Sequence, residues 1–575
     1  MTTGASTLQQ LRSCKDIYDL ADLLGLPAKA LAYRVFGIKD PQRYHEFCIS
    51  KKNGKSRKIY APHPDLKALQ KALSGVLQDC FSEIDASRGP SRNYGFVRGR
   101  GIYENCKFHS NKRYVFNLDL KDFFPSINFG RVRGFFLKNE NFSLTEKVAT
   151  LVAQICCHQN QLPQGSPTSP IVSALVCGFL DYRLSAIAGR YRCRYSTYAD
   201  DIVFSTNLRD FPTEIAVCDG EGNWVVAPEL ESRIKDAGFE INESKTRMSV
   251  RGSRQMVTGL ISNKFPNIPA EFYKNSRASV HYLMKGRTAH LDRFCEPFQN
   301  NCTDPPTKID PIPIEKVLTS LNGRLSHCRN IYGRRDDRDD KKKFFVQNKI
   351  DKLYDDFLRF RHFVHGTGPI LLAEGLSDIL YLKASIAGLS SDIKHIATVN
   401  GSGDVSAEIG FYRPSKIAAE LFGIVGGTRN FPIFLERHRD FLRRLGKRVP
   451  KRPLVVLVDN DEGIDNISKR IRSSFDVNLK SNDGKDYYIL YDQVVIVKTP
   501  EISGKGSAIE DFLPKSFLNM KIDGKKFSRS NEYDSSKFFG KMQMAKKVYE
   551  ERGKVKFQDL RKVLKNISKA VDAMP

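Results

Sequence analysis

Two spacings of hydrophobic residues alternate along the chain. In Tyr114-Val115-Phe116-Asn117-Leu118-Asp119 the period is two: Tyr114, Phe116 and Leu118 share one face, and Val115, Asn117 and Asp119 the other. This predicts a strand that ends in an acid. A second strand signal, Tyr195-Ser196-Thr197-Tyr198, runs into Ala199-Asp200-Asp201 and then Ile202-Val203-Phe204, so the paired acids are expected on a tight hairpin turn. Between these strands, apolar positions 172, 175, 176, 179 and 180 keep helical spacing. Beyond Gly366 the pattern changes. A strand-like run at 369–373 is followed by a helix with apolar positions 379, 382, 386 and 389, and later by the apolar run 454–458. Buried strands alternating with helices predict a doubly wound α/β unit to about residue 515. The remaining residues, 516–575, are Lys-rich and read as helical.

A chain of 575 residues is too long for one core. The expected segments are 1–111 with N-terminal helices, 112–262 with acids at strand ends, 263–365 as a basic helical region and linker, 366–515 as the α/β unit, and 516–575 as a tail. A proline-rich stretch at 300–313 and the charge run that begins at Arg334 mark the linker region. Lys and Arg outnumber Asp and Glu by 92 to 65, a net +27, which points to a polyanion such as nucleic acid. No uncharged apolar stretch approaches bilayer length, so no membrane partner is expected. No secretory signal is seen, and the twelve cysteines contain no Cys-x2-Cys pair, which fits reduced thiols in a cytosol.

Acids at strand ends are costly to bury without a cation, and Mg²⁺ favours carboxylate and phosphate oxygens. Two metals held by shared carboxylates serve in-line phosphoryl transfer. An Asp-Asp pair alone is equally an ordinary turn. Three motifs in this order change that reading: 117–124 with Asp119, Leu162-Pro163-Gln164-Gly165-Ser166-Pro167, and Tyr198-Ala199-Asp200-Asp201. Together they resemble the palm of a reverse transcriptase. The resemblance implies an α+β right-hand polymerase with fingers, palm and helical thumb: N-terminal helices and fingers in 1–111, a palm with catalytic acids in 112–262, and an RNA-binding thumb and linker in 263–365. It implies that Asp119, Asp200 and Asp201 hold two Mg²⁺ ions, that Phe124 crowds a ribose 2′-OH, and that Gln164 and Gly165 border the dNTP pocket. The run 51–58 resembles the fingers hairpin that grips the triphosphate, with Arg57 as its best donor, or is a solvated basic loop. Lys245 either neutralises or protonates pyrophosphate, or is structural.

Asn105-Cys106-Lys107-Phe108-His109 and Val257-Thr258-Gly259 resemble signatures of bacterial retron reverse transcriptases, with Cys106 where Ala is usual. This implies a cognate noncoding RNA as partner, priming from a guanosine 2′-OH, and a branched RNA–DNA product (msDNA). Asn105 and His109 would touch RNA or, alternatively, serve as core hydrogen-bonding residues. Lys274 and Arg277 would contact RNA from the thumb, or lie on the solvated face of an amphipathic helix.

In the α/β unit, Glu374-Gly375 follows one apolar run, and Asp459-Asn460-Asp461 follows another. In such sheets ligands gather beyond the carboxyl ends of strands. The two halves resemble a Toprim domain. The resemblance implies Glu374 as general acid/base, with Glu374, Asp459 and Asp461 around one or two Mg²⁺ ions, and with Asp378 and Glu510 as further candidates. Gly401-Ser402-Gly403 would be the glycine turn between the motifs. The implied activity is a metal-dependent nuclease effector in antiphage defence, acting on a nucleic-acid substrate. Two other readings are a group II intron-like reverse transcriptase and an RNA-binding scaffold with an inactive Toprim unit. The assembly state, a homo-oligomer included, stays open.

Overall fold

The structure is a computed structural model. It describes residues 5–575 except 51–55, 90, 220, 288–312, 337, 340–343, 425–427, 447–448, 450, 462, 531–532, 554 and 556. The expected fingers turn and proline-rich linker therefore fall largely outside the described residues. The chain divides into two compact units, one through Tyr273 and one from Lys274 onward.

The first unit opens with short helices and the antiparallel pair β1 (Tyr44–Ser50) and β2 (Ser56–Pro62). The long helix α1 (Pro64–Arg88) and the short α2 (Ile102–Phe108) follow. The central strand β3 (Tyr114–Lys121) is buried on both faces at Val115, Phe116, Leu118 and Leu120. After it come helices α3 (Ser169–Val176) and α4 (Gly178–Arg190), then strands β4 (Arg194–Tyr198) and β5 (Asp201–Thr206). Strands β6 (Glu240–Ile241) and β7 (Arg247–Val250) both pair with β3, giving the order β4-β5-β3-β6 with β7 also on β3. A small hairpin of β8 (Met256–Val257) and β9 (Leu260–Ile261) follows.

One expectation needs correction here. The helical spacing through residue 180 is broken at Cys177, where α3 and α4 meet at 50°. Phe179 consequently faces outward, 58% exposed. Among the described residues no single helix is long and apolar enough to cross a membrane.

The second unit contains helices α5 (Ala270–Met284, which begins in the first unit), α6 (Ile314–Gly333) and α7 (Lys349–Arg359). Its sheet is built from β10 (Ile370–Leu372), β11 (Gly410–Phe411), β12 (Leu454–Val458), β13 (Tyr487–Tyr491) and β14 (Val494–Lys498), in the order β11-β10-β12-β14-β13. The four strands β11, β10, β12 and β14 run parallel, and β13 is an antiparallel edge. Helix α8 (Leu376–Ala387) follows β10, and α9 (Gly463–Phe475) follows β12. All five residues of β12 and of β14 are buried, as expected for a sheet covered on both faces.

The tail differs from the helical expectation. It holds a three-stranded sheet, β15 (Lys521–Ile522), β16 (Lys525–Phe527) and β17 (Phe538–Phe539), before helices α10 (Lys541–Glu550) and α11 (Leu560–Asp572). Met544, Val548, Leu560, Val563 and Ile567 from these helices join Leu371, Val455 and Val495 in one core. The tail thus completes the α/β unit instead of trailing from it.

Candidate active sites: two clusters of acids

The first cluster is set by strand register. Strands β3 and β5 are antiparallel with Asp119 opposite Asp201, and Tyr198 pairs with Asp201 across the hairpin. Only Ala199 and Asp200 remain to turn the chain. Ala199 has φ +56, a conformation glycine adopts more easily. The amide of Leu120 donates to the Asp200 carbonyl at 2.9 Å, tying the end of β3 to this turn. All three predicted acids therefore meet at one end of the sheet.

Asp119 is 4% exposed and firmly held. Asn242 Nδ2 donates to its Oδ1 at 3.0 Å, and Lys245 Nζ lies 2.7 Å from its Oδ2. Burial, then the charges of Asp200 and Asp119, push the Asp201 carboxyl up to about 6. Asp200 is raised by burial and by Asp119, against a lowering by Lys245 and Arg57. The exposed Arg57 thus lies within electrostatic reach of the turn. The carboxylates crowd one another with little cationic compensation, and their oxygens suit a hard divalent ion. Among the described residues no three acidic, His or Cys side chains close into a ready-made cage. A cavity beside the acids is lined by Asp119, Asp201, Lys245, Arg247, Thr258 and Gly259, so the Val257-Thr258-Gly259 turn comes to the site.

The expected dNTP-pocket residues are also placed. The Gln164 carbonyl accepts from the Tyr60 amide at 2.8 Å, and Gly165 has φ +122. A Cβ at Gly165 would stand 2.6 Å from the Tyr60 carbonyl oxygen, so only glycine fits against β2. Gln164 Oε1 is buried without a hydrogen-bond partner, as suits a group that awaits a donor. Phe124 is half-buried, with its ring 6.1 Å from Phe96, whose own ring lies 6.1 Å from Tyr198.

Sequence reasoning missed the segment that braces this hairpin. The Tyr94 amide donates to the Thr197 carbonyl and the Thr197 amide to the Arg92 carbonyl, at 2.8 and 3.0 Å. A Cβ on Gly95 would meet the Ala199 amide nitrogen at 2.6 Å. A glycine between Tyr94 and Phe96 was the only available signal.

Asn105 and His109 do not face RNA; both are fully buried. Ser205 Oγ and Ser196 Oγ lie 2.7 Å from His109 Nδ1 and Nε2 respectively. Ser196 donates onward to Asn105 Oδ1 at 2.5 Å, so its oxygen accepts from His109 Nε2–H, and Nδ1 accepts from Ser205. Burial pushes His109 down to about 3, which keeps it neutral. The core reading replaces the RNA-contact expectation because neither side chain reaches solvent. Lys274 and Arg277 lie exposed on α5.

The second cluster lies at the carboxyl ends of β10 and β12. Glu374 Oε1 accepts from the Asp459 amide at 3.2 Å, and Asp459 Oδ1 accepts from the Ile509 amide at 2.8 Å. Asp378 caps its own helix, accepting from the Gly375 amide and from Ser377 Oγ at 2.9 and 3.0 Å. Glu510 is fully buried, and its carboxylate meets Lys541 Nζ at 3.1 Å in an ion pair, its one side-chain partner among the described residues. Asp461 is turned outward: its Oδ1 accepts from the Gly463 amide at 2.7 Å, at the start of α9. Burial foremost, then neighbouring acids, raises Glu374 to about 7, Asp378 to about 6 and Asp459 to about 8. Four buried or half-buried carboxylates thus share one ammonium, a deficit of positive charge that a divalent cation would relieve. The buried Glu510 oxygens and the all-oxygen donor set fit such an ion. Gly401-Ser402-Gly403 forms an exposed turn closed by the Asn400 amide on the Asp404 carbonyl at 3.0 Å. Lys541 was missed; no local pattern marks it among the tail's many lysines.

A palm sheet carrying acids on its central strand and on the neighbouring hairpin defines a reverse transcriptase. Residues 49–283 match the family model described as reverse transcriptase (RNA-dependent DNA polymerase). The retron Ec86 reverse transcriptase of Escherichia coli is 32% identical over 260 residues, 44% of this chain and 73% of that protein. The retron Mx162 and Mx65 reverse transcriptases of Myxococcus xanthus are 32% and 33% identical, over 47% and 48% of this chain and 59% and 65% of theirs. The chain belongs to the retron reverse transcriptase family. A solved telomerase from Candida albicans aligns with a TM-score of 0.28 and 10% identity, over 56% of this chain and 65% of that one, too remote to bear on the fold.

Proposed function

We propose that the first unit copies a cognate noncoding RNA into branched RNA–DNA (msDNA), starting from a guanosine 2′-OH, and that the second is a Toprim-like nuclease effector of antiphage defence in the bacterial cytoplasm. The observation that carries the polymerase reading is the pairing of Asp119 with Asp201 beside the Ala199-Asp200 turn. Asp119, Asp200 and Asp201 would hold the catalytic Mg²⁺ ions, which supply Lewis acidity at the attacking hydroxyl and the leaving pyrophosphate. Lys245 pairs with Asp119 at 2.7 Å and orients it. Arg57 would bind triphosphate oxygens, Gln164 and Gly165 would border the nucleotide, and Phe124 would crowd a 2′-OH. Lys274 and Arg277 would bind RNA phosphates.

The nuclease reading rests on Glu374 and Asp459 meeting at adjacent parallel strand ends, with Asp378, Glu510 and Lys541 around them. These residues would hold one or two Mg²⁺ ions, and Asp461 would join only by leaving its place at the start of α9. Glu374 would serve there as general acid/base.

Sequencing the nucleic acid that co-purifies with the full chain tests the first reading: a 2′-linked RNA–DNA branch is expected, absent in Asp201→Ala. Unbranched cDNA alone would sink it. For the second, Glu374→Gln is expected to remove phosphodiester cleavage and cellular toxicity while extension of an annealed primer continues. Undiminished toxicity would sink the effector assignment.

A further inference from the structure

The acidic cleft of the second unit has one wall that carboxylate chemistry does not explain. Its lining includes Glu374, Asp378, Asp459, Lys541 and, from the connection between β16 and β17, Tyr533. The tyrosine is 40% exposed. Among the described residues its hydroxyl has no hydrogen-bond partner and its ring no aromatic partner.

The position of the ring is built into the chain. A Cβ placed on Gly540 would stand 2.5 Å from Tyr533 Oη and 2.9 Å from its Cε1 and Cζ. The hydroxyl end of the ring therefore lies against Gly540, in space that a side chain there would fill. Gly540 has φ −96, an ordinary conformation for any residue, so the glycine serves the ring and not a turn. Gly540 also leads into α10, whose first residue is Lys541, the ammonium paired with Glu510. Platform and cation are thus fixed by the same two-residue step. The cleft measures about 480 Å³, room for a nucleotide-sized group.

We propose that Tyr533 is a stacking platform for an unpaired nucleobase, and that the second site consequently takes single-stranded nucleic acid. A ring held at its hydroxyl end and 40% exposed on the cleft wall offers a π surface, and every base has a π-face to meet it. In a duplex those faces are already occupied by neighbouring bases. The inference rests on the nuclease reading of the acidic cleft and adds the class of strand it accepts.

The test uses the full chain and one labelled oligodeoxynucleotide carrying 5-iodouracil, presented single-stranded or annealed to its complement. Photo-crosslinking with peptide mapping reads contact, and cleavage reads turnover. The expected result is a crosslink at Tyr533 with the single strand only, and cleavage of the single strand at least ten-fold faster than of the duplex. Tyr533→Phe should behave as the parent. Tyr533→Leu and Gly540→Ala should lose the crosslinked peptide and slow cleavage by about 5- to 150-fold, with primer extension on an annealed RNA template unchanged as proof of an intact chain. If Tyr533→Leu cleaves like the parent while Glu374→Gln does not cleave, the platform is wrong and the nuclease reading stands. If Tyr533→Phe is as impaired as Tyr533→Leu, the hydroxyl performs chemistry and stacking is overturned. If Glu374→Gln cleaves normally, the nuclease reading fails, and the crosslink alone then decides whether Tyr533 meets an unpaired base.

Discussion

Asp181 is a carboxylate with no catalytic neighbour and two donors: Tyr195 Oη at 2.7 Å and Thr197 Oγ1 at 3.0 Å, both on its Oδ1. Burial pushes it up to about 6, despite those bonds. A carboxyl raised in the folded state stabilises the fold below its unfolded pKa near 3.8, and that contribution is lost as pH rises through about 6. Going from pH 5 to pH 8 should therefore cost the first unit about 1.4 kcal/mol at this residue. Asp181→Asn should flatten that slope in chemical denaturation. His109 makes the opposite case. Held neutral, it links Ser205, Ser196 and Asn105 across α2, β4 and β5. His109→Ala should destabilise the first unit by about 3 kcal/mol through a cavity and unmet hydroxyls. A direct RNA contact would instead weaken RNA affinity and leave the unfolding midpoint unchanged.

Among the elements, the β4–β5 hairpin shows what a local pattern can and cannot reveal. The period-two run into Asp119 and the apolar residues flanking Asp200-Asp201 are local signals, so strand, turn and acids were legible from sequence. The brace was not. Residues 92–95 approach the hairpin from a distant stretch, and the contact is between backbones, which leave no mark on side-chain spacing. Gly95→Ala should displace the Ala199 amide and lower primer extension about a hundred-fold, with a near-parental melting temperature, measured on an annealed RNA template. In the second unit, Glu374 and Asp459 were legible because each ends an apolar run. Lys541 and Tyr533 were not, because only the folding of the tail onto the sheet brings them to those strand ends. Asn105 and His109 show the converse: their spacing was legible, while their burial depended on β4 and β5 lying across them. The break at Cys177 was hidden because apolar spacing runs through it.

For the molecule as a whole, the net charge of +27 is the property that composition alone made plain. Binding to the cognate RNA should be dominated by displaced counterions. The logarithm of affinity should fall linearly with the logarithm of salt concentration, losing roughly a thousand-fold between 50 and 200 mM. A flat salt response in filter binding would contradict a phosphate-led interface. Family membership was likewise legible, since the polymerase motifs are short and ordered along the chain. The tail's place in the second core was not, because Lys-rich composition hides the buried stripe of Leu560, Val563, Leu564 and Ile567.

That stripe has a consequence for the timing of birth. The core of the first unit gathers side chains from Leu8 to Met248, whereas the sheet of the second shares its interior with side chains as far along as Val571. As the chain leaves the ribosome, the interior of the first unit is therefore complete in sequence while that of the second still lacks a helix. With the functions proposed above, a nascent chain would hold its means of synthesis before its means of cutting.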